Sequence, residues 1–352
     1  MQRGAFVVRV LVGALAAALL LGCSRTERAE TSRVVRIGHF PNVTHVHGLV
    51  AHALSLEGKD VFAEHLGPDV RVEYHVFHAG PAAMEALLAG SIDVTYVGPN
   101  PAINAYVRTN GTDVRVLSGA TRGGSGLVVR KGSGLAAAAD FKGKRIATPQ
   151  LGNTQDVALR YWLKKNGLTA NKDGSGDVKV VPQENAQTLQ TFAQGDIDGA
   201  WVPEPYASRL ILENKGERLL DEKSLWPGGK FVITNLLVSQ EYEKKHPDQV
   251  KKLLQGVVEA TDYINQNKAD AEKVTNDALA KLSGKPLKQD VLTAAFKEID
   301  FTTDPVASSL VAGAAHAEEI GLLEKTDLDG IYNLAPLNDV LKAGGKAQVS
   351  DR

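Results

Sequence analysis

Residues 36–54 read RIGHFPNVTHVHGLVAHAL, and residues 145–163 read RIATPQLGNTQDVALRYWL. Each begins on the end of a short strand-like run, passes through a polar turn and enters a stretch with apolar residues at helical spacing. A second pair follows in the same order. Residues 89–102, AGSIDVTYVGPNPA, match residues 193–207, AQGDIDGAWVPEPYA: a Gly-x-Ile-Asp turn, a short strand, a Pro-x-Pro loop and the opening of a helix. The first pair lies 109 residues apart and the second 104 or 105. Two pairs in step predict two halves built on one plan.

Outward from these stretches, β-branched runs alternate with helical patterns over 34–38, 44–56, 70–77, 82–89 and 93–97. That alternation predicts α/β units around a largely parallel sheet. Residues 117–126, LSGATRGGSG, read as a loose, glycine-rich crossing from one half to the other. Residues 231–238 read as the strand that crosses back. Apolar spacing of three and four predicts helices over 247–266, 268–282 and 304–320, which return to pack on the first half. The chain is too long for one core, and the expected division is lobe 1 over 34–120, lobe 2 over 121–235 and the rest of lobe 1 over 236–352.

The N-terminus addresses the chain to a compartment. Arg3 and Arg9 precede an apolar run over 10–21 that closes on Leu20-Leu21-Gly22-Cys23. The run is about half the ~20 residues of a membrane span, so 1–22 reads as a secretory signal. A cysteine directly after a small residue resembles the bacterial lipoprotein cleavage site, which makes Cys23 the expected lipidated residue and membrane anchor. Polar residues 23–33 then serve as a flexible tether. Cys23 is the sole cysteine, which excludes an internal disulfide, a cysteine zinc site and thiolate catalysis in the folded body. Losing Arg3 and Arg9 takes the formal charge from −1 to −3, and so weak a charge gives no sign of a nucleic-acid partner.

In an open α/β sheet a ligand lies beyond the carboxyl ends of the strands, in the loops that lead into helices. Four such loops stand out. In the first, His39 and His45 are candidate donors, Phe40 offers a ring, and Asn42 or Thr44 can cap the next helix. The second holds Gly98, Pro99 and Asn100 before Pro101, a residue suited to the first turn of a helix. The third places Gly152, Asn153, Thr154 and Gln155 at a helix start, and the fourth contains Trp201 and Glu204. Three of these are helix N-termini, whose free amides and positive dipole end can hold an anion without lysine or arginine. Gly124 and Ser125 in the crossing and Asn235 in the returning strand complete the candidate set. Ordinary capping and turn chemistry explains any one loop alone; the group together favours a site. Glu204, between two prolines, either accepts from an amine or hydroxyl of the ligand, reaches the other lobe or sits as a solvated charge. Trp201 either stacks on a ligand or joins the core.

Seven of the nine histidines fall between His39 and His78. Their spacing does not match a metal motif, since His45 and His52 stand two helical turns apart and His47 points elsewhere. No metal and no cofactor is expected; the histidines other than His39 and His45 read as surface residues.

RIGHFPNVTH, HAGPAAMEALLAGSIDVTYVGPNPAINAY, DFKGKRIATPQLGNTQDVALRYWL and GDIDGAWVPEPYA together resemble the substrate-binding proteins of bacterial importers for aliphatic sulfonates, taurine and nitrate. The resemblance runs from about Val34 to about Ile320. It implies a type II periplasmic-binding fold: two α/β lobes joined by a two-stranded hinge, closing on ligand and docking as a monomer on an ABC permease and its ATPase. It also implies that Asn42, Asn100, Asn153 and Thr154 meet the anionic group. An aliphatic sulfonate or taurine-like anion is the leading ligand, with nitrate, a phosphonate or a thiamine-pyrimidine precursor as alternatives. Enzymes with this fold are desulfinases, which need a catalytic cysteine, and pyrimidine synthases, whose cytoplasmic chemistry does not suit a secreted chain. A binding protein is therefore expected, not an enzyme.

Overall fold

The computed structural model describes residues 33–351. The expected signal segment and Cys23 lie outside the described residues, as does nearly all of the tether. In chain order the strands are β1 (Arg33–His39), β2 (Val70–Val76), β3 (Val94–Val97), β4 (Val114–Gly123), β5 (Ser125–Arg130), β6 (Arg145–Thr148), β7 (Lys179–Pro182), β8 (Gly199–Pro203), β9 (Gly216–Asp221), β10 (Val232–Ser239) and β11 (Ile299–Phe301). They form two sheets, ordered β11-β4-β10-β3-β1-β2 and β7-β6-β8-β5-β9. Helices cover both, giving two α/β lobes.

The repeated stretches occupy equivalent places. Residues 36–54 are β1 and the helix Val46–Ser55, and 145–163 are β6 and the helix Thr154–Lys165. β1 lies parallel to β3 with Ile37 opposite Val94, as β6 lies parallel to β8 with Ile146 opposite Gly199. The sheets are mixed, not largely parallel. β10 runs antiparallel to both β3 and β4, and β5 antiparallel to both β8 and β9. The reason is directional: the parallel strands of each lobe end at the gap between lobes, so a strand arriving from the other lobe starts at the gap and runs away from it.

The crossing is more ordered than its composition suggests. Residues 117–123 belong to β4, are mostly buried and pair with β10 and β11. Tertiary pairing on two sides overrides the weak local preference of LSGATRG for a strand. The chain breaks only at Gly123 and Gly124, where φ is 74° and 72°, values that favour glycine. A Cβ on Gly124 would also stand 2.2 Å from Ile299 Cγ2. The passages between sheets thus fall at 123–125 and between 221 and 232.

The three expected C-terminal helices form at Pro247–Gln266, Lys268–Ser283 and Ala307–Glu319. The third starts late because Pro305 precedes Val306, whose φ of 45° lies outside the helical region. Val250, Leu253 and Val257 of the first helix pack with Ile37, Tyr96 and Leu236 of the six-stranded sheet. The helices do more than return to lobe 1. Gln289–Lys297 packs on Tyr206–Asn214 and Ala307–Glu319 on Thr154–Lys165, both in lobe 2. Rings of His316 and Tyr161 stack there at 3.7 Å. Among the described residues no helix is long and apolar enough to cross a membrane.

Candidate functional site

The carboxyl ends of the parallel strands of both sheets meet at a cavity of about 40 Å³. Of the expected residues, Phe40, Asn42, Thr44, His45, Gly98, Asn153, Thr154 and Gln155 line it. After β1 the chain makes a tight turn in which Asn42 Oδ1 accepts from the Thr44 amide at 2.9 Å and from Thr44 Oγ1 at 3.0 Å. This bond pair commits the Asn42 oxygen to the fold and aims His45 inward. The His45 ring stacks on Phe40 with centroids 4.1 Å apart, and its Nδ1 is buried with no hydrogen-bond partner. Burial first, then the neighbouring His39 and His47, hold its pKa well below the usual histidine range. The imidazole is therefore neutral and keeps one donor and one acceptor nitrogen.

Across the gap, Asn153 caps the helix Thr154–Lys165 by accepting from the Asp156 amide at 2.9 Å. Asp156 is fully buried and accepts from Thr148 Oγ1, the Gly152 amide and Arg160 Nε. Its charge is thereby consumed inside lobe 2. Thr154 and Gln155, the first two residues of the helix, have amides with no intrahelical partner, and Thr154 Oγ1 is buried with no partner at all. The lobes touch at this point: a Cβ added to Gly98 would lie 2.5 Å from Thr154 Oγ1.

The other expected residues lie elsewhere. His39 is fully buried behind its loop, with Nε2 at 2.9 Å from His52 Nδ1. Pro99 and Asn100 do not line the cavity; the Asn100 side chain turns away and donates to the Gly313 carbonyl at 3.1 Å. Since Pro99 and Pro101 lack N–H groups, this helix start offers few donors and is a poorer anion site than its dipole suggests. Gly124 and Ser125 are held in the crossing and in β5, and the Gly152 amide is spent on Asp156. Trp201 belongs to the lobe 2 core and donates to Glu222 Oε2 at 2.8 Å. Glu204 is fully buried, accepting from Arg218 at 2.7 Å and from the Ser208 amide at 3.0 Å. Asn235 is buried inside β10, between β3 and β4. His47 is not a surface residue: it is buried, 3.0 Å from Thr261 Oγ1, and stacks over Tyr96.

Two loops were not foreseen. The one after β2 brings His78, Ala79 and Gly80 to the cavity, and the one after β7 brings Asn185. Asn185 opens the helix Asn185–Gln194, and its Oδ1 is buried without a partner. The available signal was the second strand of each half, β2 beside β1 and β7 parallel to β6, which leads, like the first, into a helix. The lining thus holds three fully buried polar atoms without a partner, His45 Nδ1, Thr154 Oγ1 and Asn185 Oδ1, and neither lysine nor arginine.

The model of the NMT1-like family matches residues 28–279. The taurine-binding periplasmic protein of Escherichia coli (strain K12) is 26% identical over 277 residues, 75% of this chain and 82% of that protein. Among solved structures, the alkanesulfonate-binding protein of Xanthomonas axonopodis pv. citri is 24% identical and superposes with a TM-score of 0.67, covering 86% of this chain and 97% of that one. The periplasmic nitrate-binding protein of Synechocystis PCC 6803 is 17% identical with a TM-score of 0.73, covering 89% of each chain. The two-lobed architecture described above is thus that of periplasmic binding proteins.

Proposed function

The chain belongs to the NMT1-like family, and from that premise we propose that it is the extracytoplasmic solute-binding component of an ATP-driven importer, capturing a small organic anion such as an alkanesulfonate or taurine. One observation carries this reading: neutral donors from helix starts of both lobes converge on a single cavity that contains no fixed cation. Such a site holds an anion by hydrogen bonds and dipoles. Binding from two lobes also couples capture to closure, which is how a transport partner can tell a loaded protein from an empty one. Cys23, at the end of the signal segment, would tie the protein to the membrane beside its permease. The ionisable side chains that line this cavity are His45 and His78, and no cysteine lies among the described residues to serve as a nucleophile, which supports binding over catalysis.

Nitrate is the second reading, favoured by size: about 40 Å³ is room for roughly three water-sized spheres, and hence for a small oxyanion or the head of a larger one. A thermal-shift screen over taurine, alkanesulfonates, nitrate, bicarbonate, phosphonates and pyrimidines separates the two. A sulfonate at 100 times its Kd stabilises the protein by about 2.7 kcal/mol. Stabilisation by nitrate alone selects the second reading, and no response from any anion rejects both.

A further inference from the structure

A second space of about 30 Å³ adjoins the anion cavity and shares Phe40, Asn42, His78 and Asn185 with it. Glu184 and Tyr206 are added to its wall. Glu184 precedes the helix Asn185–Gln194 but makes no side-chain cap, and it has no ion-pair partner among the described residues. A carboxylate at a helix N-terminus usually caps or finds a cation; this one faces the cleft free. Asn185 lies between the two spaces, about nine-tenths buried, with Oδ1 unpartnered. Acceptors therefore gather at one end of the cleft, while the donors of Thr154 and Gln155 stand at the other.

We propose that Glu184 and Asn185 form a subsite for the ammonium group of a short zwitterion whose anionic head is held at Thr154 and His45. The assignment rests on the anion-binding reading above and makes Glu184, not Glu204, the residue that selects an amine. Glu204 cannot serve, because Arg218 and the Ser208 amide already occupy its oxygens. The ligand class follows from the geometry: two opposite charges on a chain short enough to span two adjoining spaces of this size.

Calorimetric titration of the full folded chain with taurine and with ethanesulfonate, which lacks the amine, tests it. Glu184→Gln weakens taurine binding about tenfold or more and leaves ethanesulfonate within about twofold. Glu184 is exposed, so the substitution does not threaten folding, and an unchanged melting temperature checks this. Equal losses for both ligands, or no loss for either, overturn the subsite while leaving anion binding intact. A wild-type protein that binds neither ligand overturns both the subsite and the reading beneath it.

Discussion

Glu204 shows how a single carboxylate can mislead. Its place between two prolines suggests a stiff, ligand-facing loop, yet burial raises its pKa while Arg218 and the Ser208 hydrogen bond oppose the rise. Arg218 reaches further, to Glu298 at 3.3 Å, so the cluster ties β9 to the C-terminal segment. Replacing Arg218 with methionine leaves a buried carboxylate unpaired and is expected to cost about 3–5 kcal/mol in urea unfolding. The relative affinity for taurine and ethanesulfonate should stay the same; a loss of taurine selectivity without a loss of stability would contradict the structural role. Thr154 is the opposite case, a residue with an unspent hydroxyl. Thr154→Val preserves its shape and removes that donor, so affinity for every anion should drop about tenfold with the fold unchanged. Titration with undiminished affinity would remove Thr154 from the site.

At the scale of elements, the site is a set of strand-to-helix loops, and their approach depends on what is missing as much as on what is present. Gly98 has ordinary backbone geometry at the start of its helix, with φ of −69°, so its lack of a side chain serves the contact with Thr154. Gly98→Ala places a methyl group 2.5 Å from Thr154 Oγ1, a clash between lobes and not within one. Anion affinity is expected to fall about tenfold or more, because overpacking costs typically 1–3 kcal/mol, while unliganded stability changes little. Small-angle scattering should show the variant failing to compact on adding ligand; normal compaction would mean that the lobes close without this contact. The sequence marked four of the contributing loops because each pairs Gly, Pro or Asn with a helix start, though the fourth reaches the cavity through Pro203 alone. It missed the loops after β2 and β7: the helices they open start 105 residues apart, at Gly80 and Asn185, but His78 and Glu184–Asn185 share no residue pattern, and nothing local says that these loops face the same gap as the others.

For the molecule as a whole, the buried histidines set a pH dependence. Burial lowers the pKa values of His39 and His47 to about 4, against about 6.5 for a free histidine. The unfolded chain therefore binds more protons between these values, so stability is fully present above about 6.5 and falls as pH drops towards 4. Each histidine contributes a slope of up to about 1.4 kcal/mol per pH unit in that window. Glu204 and Glu222, raised by burial, act in the opposite sense above 4.5. His47→Gln, which retains a donor for Thr261, isolates the histidine contribution. Urea unfolding at pH 7, 6 and 5 should show a shallower slope for the variant than for the wild type, and identical slopes would exclude His47 as a source.

The two-lobed α/β plan, the C-terminal helices and half of the candidate site were determined by the chain itself. Periodicity and capping are local: Asn42 and Asn153 stand beside the amides they cap, and the matched strand-turn-helix stretches carry the same signals twice. Tertiary structure alone decided which polar groups remained unspent. Trp201, Glu204, His39 and Asn100 found partners or burial far along the chain, at Glu222, Arg218, His52 and Gly313, whereas Thr154, His45 and Asn185 did not. Whether a polar side chain serves the fold or a ligand depends on what the folded chain brings within about 3 Å of it, and sequence spacing carries no record of that distance.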